Sequence, residues 1–327
     1  MRVLVTGGSG FLGSRIAMAL ASRGDEVRVL RRPSSSLVAL DGLPVEHIIG
    51  DVLEPEAVAR AVAGCDLVFH VAAISSYWRA HRQQVYRVNV EGTRVVMEAC
   101  WRAGAARVVH TSSVAAIGIP ADGALADEQT PFDALSRTFA YADSKHQAEA
   151  VVQEYVAQGL PAVIVNPAVV IGAGDHYLIS GSMVVEFARG HMIAVPPCGF
   201  CTADIDAVVL GHLAAAEQGR IGERYILGGE NLTSRRMAAI LAEVIGRRAP
   251  RFTLPRWILG PAALMVDAFN RVSSRPPLVS GEQIRLSAIN YFVDSTKAVR
   301  ELGYPLLPFA GAVEKAYKWY REHGFLG

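Results

Sequence analysis

The chain has 327 residues, long enough for a large core, and at about 100–200 residues per domain the length suggests two lobes. Hydrophobic residues make up 51% and charged residues 19%, a globular balance that excludes a disordered or fibrous chain. The 32 Lys+Arg nearly cancel the 31 Asp+Glu, so no net field points to nucleic acid as a partner.

Met1 to Val5 run straight into a strand and a glycine turn, which leaves no room for a secretory leader. Four cysteines in so long a chain make no disulfide framework, and both observations point to the cytoplasm. Apolar strand patterns at Arg2–Thr6, Glu26–Arg31, Val45–Ile49, Asp66–Val71, Arg107–Thr111 and Ala162–Asn166 alternate with helical patterns at Phe11–Arg23, Glu56–Ala63, Gln83–Ala103 and Tyr141–Gln158. Strands apolar almost throughout and separated by helices belong to a parallel sheet covered on both faces, so the fold class is α/β, doubly wound. The polar stretch Gly118–Ala140 reads as a lid or an unstructured loop. Beyond Pro167 the elements shorten, while Asp206–Gln218 and Tyr225–Leu227 read as a helix and strand returning to the sheet. The division is residues 1–167 as a Rossmann domain and 168–327 as a smaller lobe, with about 204–228 rejoining the first. Trp257–Phe269 is broken by Gly260, Pro261 and Asp267. It falls short of the roughly 20 apolar residues of a membrane span and reads as a buried or interface helix.

After the first strand comes Gly7-Gly8-Ser9-Gly10-Phe11-Leu12-Gly13, then a helix. That order sets a diphosphate over a helix N-terminus, where backbone N–H groups bind it. Gly7 permits the tight turn, Gly10 lets the backbone approach the phosphates and Gly13 lets the helix pack close to the strand. The Gly-x-x-Gly-x-x-Gly spacing differs by one residue from the Gly-x-Gly-x-x-Gly fingerprint. At the end of the second strand, where a carboxylate would accept the ribose hydroxyls of NAD, stand Arg31 and Arg32. A guanidinium suits a 2′-phosphate, so the pair favours NADP over NAD, unless both are solvated loop charges. Asp51 is a candidate acceptor for the adenine amino group, or an N-cap for the helix that follows.

Tyr141 and Lys145 lie four residues apart at the start of a helix and share one face. A tyrosine titrates too high to exchange protons readily at neutral pH, and a neighbouring ammonium would lower it. The phenol then trades a proton with a carbonyl or alcohol oxygen while nicotinamide trades a hydride with its carbon. Ser113, at the end of the fifth strand, is placed to donate to the same oxygen.

These motifs, together with Gly50-Asp51, Phe69-His70-Val71-Ala72-Ala73, Asn89-Val90-Glu91-Gly92-Thr93, Thr111-Ser112-Ser113 and Asn166-Pro167, resemble the extended short-chain dehydrogenase/reductases, the NAD(P)-dependent epimerase/dehydratase family. Within it the chain is similar to the dihydroflavonol reductase-like branch and the hopanoid-associated sugar epimerase group, through Gly222–Asn231 and Glu301–Tyr304. The resemblance implies that Ser113, Tyr141 and Lys145 are catalytic. It implies that Phe11, Leu12, Val52, Ala72, Ala73, Pro167 and Val170 contact the cofactor, with Ala72 on the adenosine side and the backbone after Pro167 facing nicotinamide. It also implies a homodimer through Gln83–Ala103 and Tyr141–Gln158. Thr202–Ala207, in place of an unbroken Val-Asp-Asp stretch, and Ser287–Asn290, in place of a run rich in Lys and Arg, depart from the branch and bear on substrate.

Cys198-x-x-Cys201 has metal or redox spacing but no second pair, so it reads as incidental and no metal is expected. His70 and His110 sit in apolar strands and read as core histidines bonded to backbone. Tyr77, Trp78 and Tyr86 are candidates for the substrate cleft or for packing, and Met183, Met192 and Phe200 for an apolar pocket. The leading reading is an NADP(H)-dependent reductase of an apolar or aromatic ketone or aldehyde. The alternatives are a nucleotide-sugar epimerase or dehydratase holding NAD+ tightly and a non-catalytic dinucleotide sensor. Arg189, Arg220 and Arg285 decide against the first reading if they converge on the cleft, since a substrate diphosphate needs such partners.

Overall fold

In the computed structural model the described residues are 1–75, 82–120, 123–272 and 280–326. Seven parallel strands form the main sheet: β1 (Arg2–Thr6), β2 (Glu26–Arg31), β3 (Val45–Ile49), β4 (Leu67–His70), β5 (Arg107–Thr111), β6 (Ala162–Pro167) and β10 (Arg224–Leu227), in the order β10-β6-β5-β4-β1-β2-β3. Val3, Leu4, Val5, Val68, Phe69, Val108, Val109 and Ile164 are wholly buried, as expected where helices cover both faces. On one face lie α1 (Phe11–Ser22), α7 (Ile205–Gln218) and α11 (Thr296–Leu302); on the other α2 (Pro55–Val62), α4 (Gly92–Ala103) and α5 (Ala140–Ala157). The fold is thus the doubly wound α/β class read from the sequence.

The second lobe is built on β7 (Val169–Ile171), β9 (Gly199–Asp204), β11 (Glu230–Thr233) and β13 (Asn290–Tyr291), which form one small sheet. A two-stranded pair, β8 (Ala194–Val195) and β12 (Phe252–Thr253), stands beside it. Helices α6 (Ser182–Arg189), α8 (Ser234–Ile245) and α12 (Phe309–Glu322) enclose its core, and α9 (Arg256–Val272) packs on α10 (Gly281–Leu286). Lys315 of α12 pairs with Asp204 at 2.7 Å, and Arg15 of α1 pairs with Asp206 at 3.1 Å. The Thr202–Ala207 departure therefore joins the lobes, with Asp204 capping α7 by accepting from the Asp206 amide, and none of its residues is among those lining the cavity described below.

Three elements differ from the sequence reading. The expected helix Gln83–Ala103 is α3 (Arg82–Tyr86), a π-helical turn at Arg87–Glu91, then α4. The widened turn rolls Asn89 inward, where it is 1% exposed, a form of helix irregularity common at functional sites. The loop after Gly118 is no free lid: Glu128 is buried and accepts from the Ile226 amide at 2.9 Å, and Ala126 exchanges backbone hydrogen bonds with Phe292 and Asp294. Of the two readings of Trp257–Phe269, buried or interface, α9 does not fit the first, since Trp257, Leu264, Met265 and Phe269 are each about 70–80% exposed (78%, 69%, 71% and 70%).

The β1–α1 turn is closely packed. Gly7 has φ +70°, and a methyl group added at Gly13 would stand 2.2 Å from the Gly7 carbonyl oxygen. Gly13→Ala should force strand and helix apart and cost about 1–3 kcal/mol, as overpacking does. Urea unfolding checks this, and an unchanged midpoint would contradict the packing described.

Candidate functional site

The sheet order reverses between β1 and β4, where Thr6 and His70 are paired in register and the threonine hydroxyl meets His70 Nδ1 at 2.8 Å. Ligands of open α/β sheets bind outside the strand ends at such a switch point. A cavity of about 940 Å³ opens there, and every residue singled out for cofactor or chemistry lines it. Gly7, Gly10, Phe11, Leu12 and Gly13 form one wall; Arg31, Arg32, Asp51 and Val52 one end; Ala72 and Ala73 the floor after β4; Ser113, Tyr141, Lys145, Pro167 and Val170 the other side. Gly10 is the N-cap of α1 and has no side chain with which to satisfy the first-turn amides. Those amides belong to residues that line the cavity, and an anion there would meet unpaired N–H groups and the positive end of the helix dipole. The site therefore fits a dinucleotide diphosphate.

Arg31 donates to His47 Nδ1 at 3.3 Å and to the Arg32 carbonyl at 3.4 Å. Neither arginine makes an ion pair with a described residue. Ser34, Ser35 and Ser36 also line this end; the run of hydroxyls directly after Arg32-Pro33 was a readable signal that composition alone did not single out. Asp51 accepts from the Leu53 amide at 3.0 Å, while the N-cap of α2 is Glu54. The capping alternative for Asp51 is therefore wrong, because the chain makes a further turn before the helix begins.

Tyr141 and Lys145 lie one turn apart on α5, beside the end of β5. The Tyr141 hydroxyl is hydrogen-bonded to the side chains of Ser113 and Ser75. Burial raises its pKa above the ordinary value, with both serines pulling the other way. The lowering expected from Lys145 is not what this arrangement produces: desolvation of the phenolate is the largest effect, and the groups that oppose it are the two serines. Lys145 is 3% exposed, and its Nζ donates to the Thr111 carbonyl at 2.8 Å. Burial brings its pKa down from the usual 10.5 to about 8, with Glu149 opposing.

Behind these groups Asn166 donates to the Ser113 carbonyl at 2.9 Å and to Glu149 at 2.6 Å, and Glu149 pairs with Arg224 at 3.2 Å. Asn89 accepts from the Ile74 amide at 2.8 Å and donates to the Ile74 carbonyl at 3.1 Å and to Ser144 at 3.0 Å. It thereby ties the backbone beside Ser75 to α5. Ser75 had no sequence signal, and the role of Asn89 needed the π turn. Tyr291 of β13 also lines the cavity and donates to the Ile117 carbonyl at 3.0 Å.

A family model described as the NAD dependent epimerase/dehydratase family matches residues 3–228. The chain belongs to this family. As an extended short-chain dehydrogenase/reductase it is an NAD(P)-dependent oxidoreductase. A Synechocystis sp. protein provisionally named a dihydroflavonol 4-reductase is 37% identical, with 98% of this chain and 95% of that protein covered. Sterol demethylase protein B of Methylococcus capsulatus is 36% identical over 100% of both. The crystal structure of gox2253 superposes with a TM-score of 0.88 at 37% identity, covering 99% of each chain.

The lining of the cavity also includes the apolar side chains of Ile74, Ile117, Phe139, Phe200, Leu286 and Ile289, with Gln283, Ser287 and Tyr291 beside them. Of the residues expected there Phe200 is present, whereas Met183 and Met192 pack in the core of the second lobe and Tyr86 turns away to donate to Asp143 at 2.6 Å. Tyr77 and Trp78 lie outside the described residues. Arg189, Arg220 and Arg285 do not converge on the cleft; they pair with Glu186, Glu301 and Asp267. His70 is held by the hydroxyls of Thr6 and Thr93, not by backbone, and burial lowers its pKa to about 3. His110 has no hydrogen-bond partner among the described residues and is likewise kept neutral by burial. Cys198 contacts the Ser234 hydroxyl at 3.3 Å, and Cys201 accepts from the Gly229 amide at 3.3 Å.

Lys145 generates a pH prediction with two opposite signs. Its ammonium burdens the fold below about pH 8, and the burden is relieved as pH rises from about 8 toward 10.5. In the folded protein its capacity to donate from a charged group is lost around pH 8. The kcat/KM for carbonyl reduction, which reports the free enzyme, should therefore fall with a midpoint near pH 8 while the fold is retained. A flat profile to the pH at which ordinary lysines titrate would show that this ammonium is dispensable.

Proposed function

We propose that the protein is an NADP(H)-dependent reductase of an apolar ketone or aldehyde, working reversibly on the alcohol. One observation carries the reading: Arg31, Arg32, Asp51 and Lys145 are the only charged side chains among the described residues lining the cavity. All four lie where the cofactor would be held, and the opposite end offers no described cation to a second diphosphate. A nucleotide-sugar would have to bury phosphate charge without partners there, which is very costly.

Residues 1–167 act as the dinucleotide domain and 168–327 as the substrate lobe, in a cytoplasmic homodimer paired through α3–α4 and α5. The α1 amides hold the diphosphate, Arg31 and Arg32 with Ser34–Ser36 the 2′-phosphate, and Asp51 the adenine. Val52, Ala72 and Ala73 border the adenosine, and Pro167 and Val170 border the nicotinamide. When bound, the cofactor supplies the hydride. Tyr141, kept protonated by burial, donates its proton to the carbonyl oxygen, and Ser113 donates a hydrogen bond to that oxygen. Lys145 holds the nicotinamide ribose and favours the phenolate once the proton has left.

NADPH should bind more tightly than NADH by one to two decades, from about 1.5–3 kcal/mol of charge-assisted contact. Arg31→Asp should invert the order, and equal dissociation constants measured by titration would remove the assignment of the 2′-phosphate site. The function itself is tested with a panel of aromatic and aliphatic ketones under NADPH, beside a UDP titration. Ketone turnover that drops by about 10²–10⁴ in Tyr141→Phe, with cofactor affinity unchanged, is the expected result. Micromolar UDP binding without ketone turnover would install the epimerase reading. NADPH binding with neither would leave a sensor.

A further inference from the structure

Helix α9 presents the wrong face to water. Its buried residues are Leu259 and Ala263, whereas Trp257, Gly260, Pro261, Leu264, Met265, Ala268 and Phe269 are exposed. The spacings of three and four residues put this set on one side of the helix, so from Trp257 to Phe269 the described outward stripe contains no polar side chain. On the adjoining pair β8–β12, Phe252 is 73% exposed and Ile193, the residue before Ala194, is 81% exposed. Strand β12 leads directly into α9, and Arg256 donates to the Pro197 carbonyl, just beyond β8, at 3.5 Å. A continuous exposed apolar surface of this kind marks a contact with something else.

The charges around it choose the partner. From Arg247 to Val266 the chain has four arginines, Arg247, Arg248, Arg251 and Arg256, and no Asp or Glu. None of the four forms an ion pair with a described residue. The first acid beyond, Asp267, is already paired with Arg285 at 2.9 Å, and Glu243 lies a turn before them on α8. An isologous contact with a second copy would bring two such arginine sets toward each other with few carboxylates to meet them. An anionic lipid surface accepts both halves: headgroups take the arginines, and Trp, Leu, Met and Phe enter the boundary with the acyl chains. No helix among the described residues is long and apolar enough to cross a membrane, so the contact would be along the surface.

We propose that α9, with the β8–β12 pair, is an interfacial membrane-docking surface selective for anionic lipid. Its position gives the contact a use. Gly281 and Arg285 of α10 pack against Asp267 of α9, while Gln283, Leu286 and Ser287 of α10 line the cavity. Docking through α9 sets that side of the cavity next to the lipid, so an apolar molecule dissolved in the bilayer reaches the site without crossing water. The inference stands on the surface itself and holds whatever reaction the cavity supports.

The test is co-sedimentation of the full chain with vesicles of phosphatidylcholine alone and of phosphatidylcholine mixed with phosphatidylglycerol, at low and high salt. Trp257 emission is followed alongside, as the difference from Trp257→Phe. We expect binding to the mixed vesicles, weakened by about tenfold or more on removing phosphatidylglycerol or raising salt, with a blue shift of Trp257. Leu264→Glu with Met265→Glu should abolish binding without moving the thermal unfolding midpoint, because both residues are exposed. Arg248→Glu with Arg251→Glu should abolish the preference for anionic lipid. Wild-type protein left in the supernatant with both vesicle types overturns the proposal, as does binding that survives the Leu264/Met265 change. A self-association in sedimentation velocity that this change dissolves, without vesicle binding, would also overturn it and assign the face to a second copy.

Discussion

The close approach of Gly13 to the Gly7 carbonyl, 2.2 Å from where a side chain would begin, is the constraint on which the site depends. It lets α1 pack close against β1, with Gly10 as an N-cap that carries no side chain, so the first amides of the helix remain available to a ligand. The switch between β1 and β4 then opens the sheet beside those amides, and Thr6 and His70 close the gap beneath with a neutral hydrogen bond. Burial keeps that histidine uncharged, so the floor of the site adds no cation to compete with the ones at its ends.

The reacting groups are positioned by a layer of buried polar residues. Desolvation acts on both members of the α5 pair, holding Tyr141 protonated and drawing Lys145 toward neutrality. Each tendency is tempered by a specific contact: serines for the phenol, Glu149 for the ammonium. Glu149 is itself buried, and Arg224 and Asn166 hold it in place. Arg224 belongs to the strand that rejoins the sheet from beyond residue 200, so the distal chain contributes to the electrostatics of a site built mostly from the first half. Asn89 does the same from the other side, where a π turn trades one regular helical turn for a side chain aimed at the backbone of Ile74.

Polarity is distributed along one direction of the molecule. Arg31, Arg32 and Asp51 stand at one end of the cavity and Lys145 beside Tyr141, the rest of the described lining is uncharged, and α10, which contributes to that lining, packs on α9. Arg285 and Asp267 pair across α9 and α10 and leave neither charge to the cavity. An apolar lining and an apolar exterior on two sides of the same helix pair are one design, since both favour molecules that leave water readily.

The sequence by itself determined the strands, their parallel class, the glycine turn and the Tyr141–Lys145 pair, because these are local: alternation of apolar runs and helices, a spacing of four, a glycine where no side chain fits. The same logic reached Arg31 and Ser113 through their positions at strand ends. Only the tertiary structure decided what depends on distant partners. Ser75 stands beside Tyr141 because Asn89 ties the backbone of Ile74 to Ser144 of α5. The loop after Gly118 is pinned because Glu128 meets the amide of Ile226, and Arg189, Arg220 and Arg285 leave the cleft because acids elsewhere in the second lobe take them. The sign of the Tyr141 shift also lay beyond the sequence, since spacing shows that an ammonium is near but not how much water the fold removes. Helix α9 is the plainest case: its apolar periodicity was legible, but periodicity marks a face without saying whether protein or water lies against it, and here the core had already closed around Leu259 and Ala263.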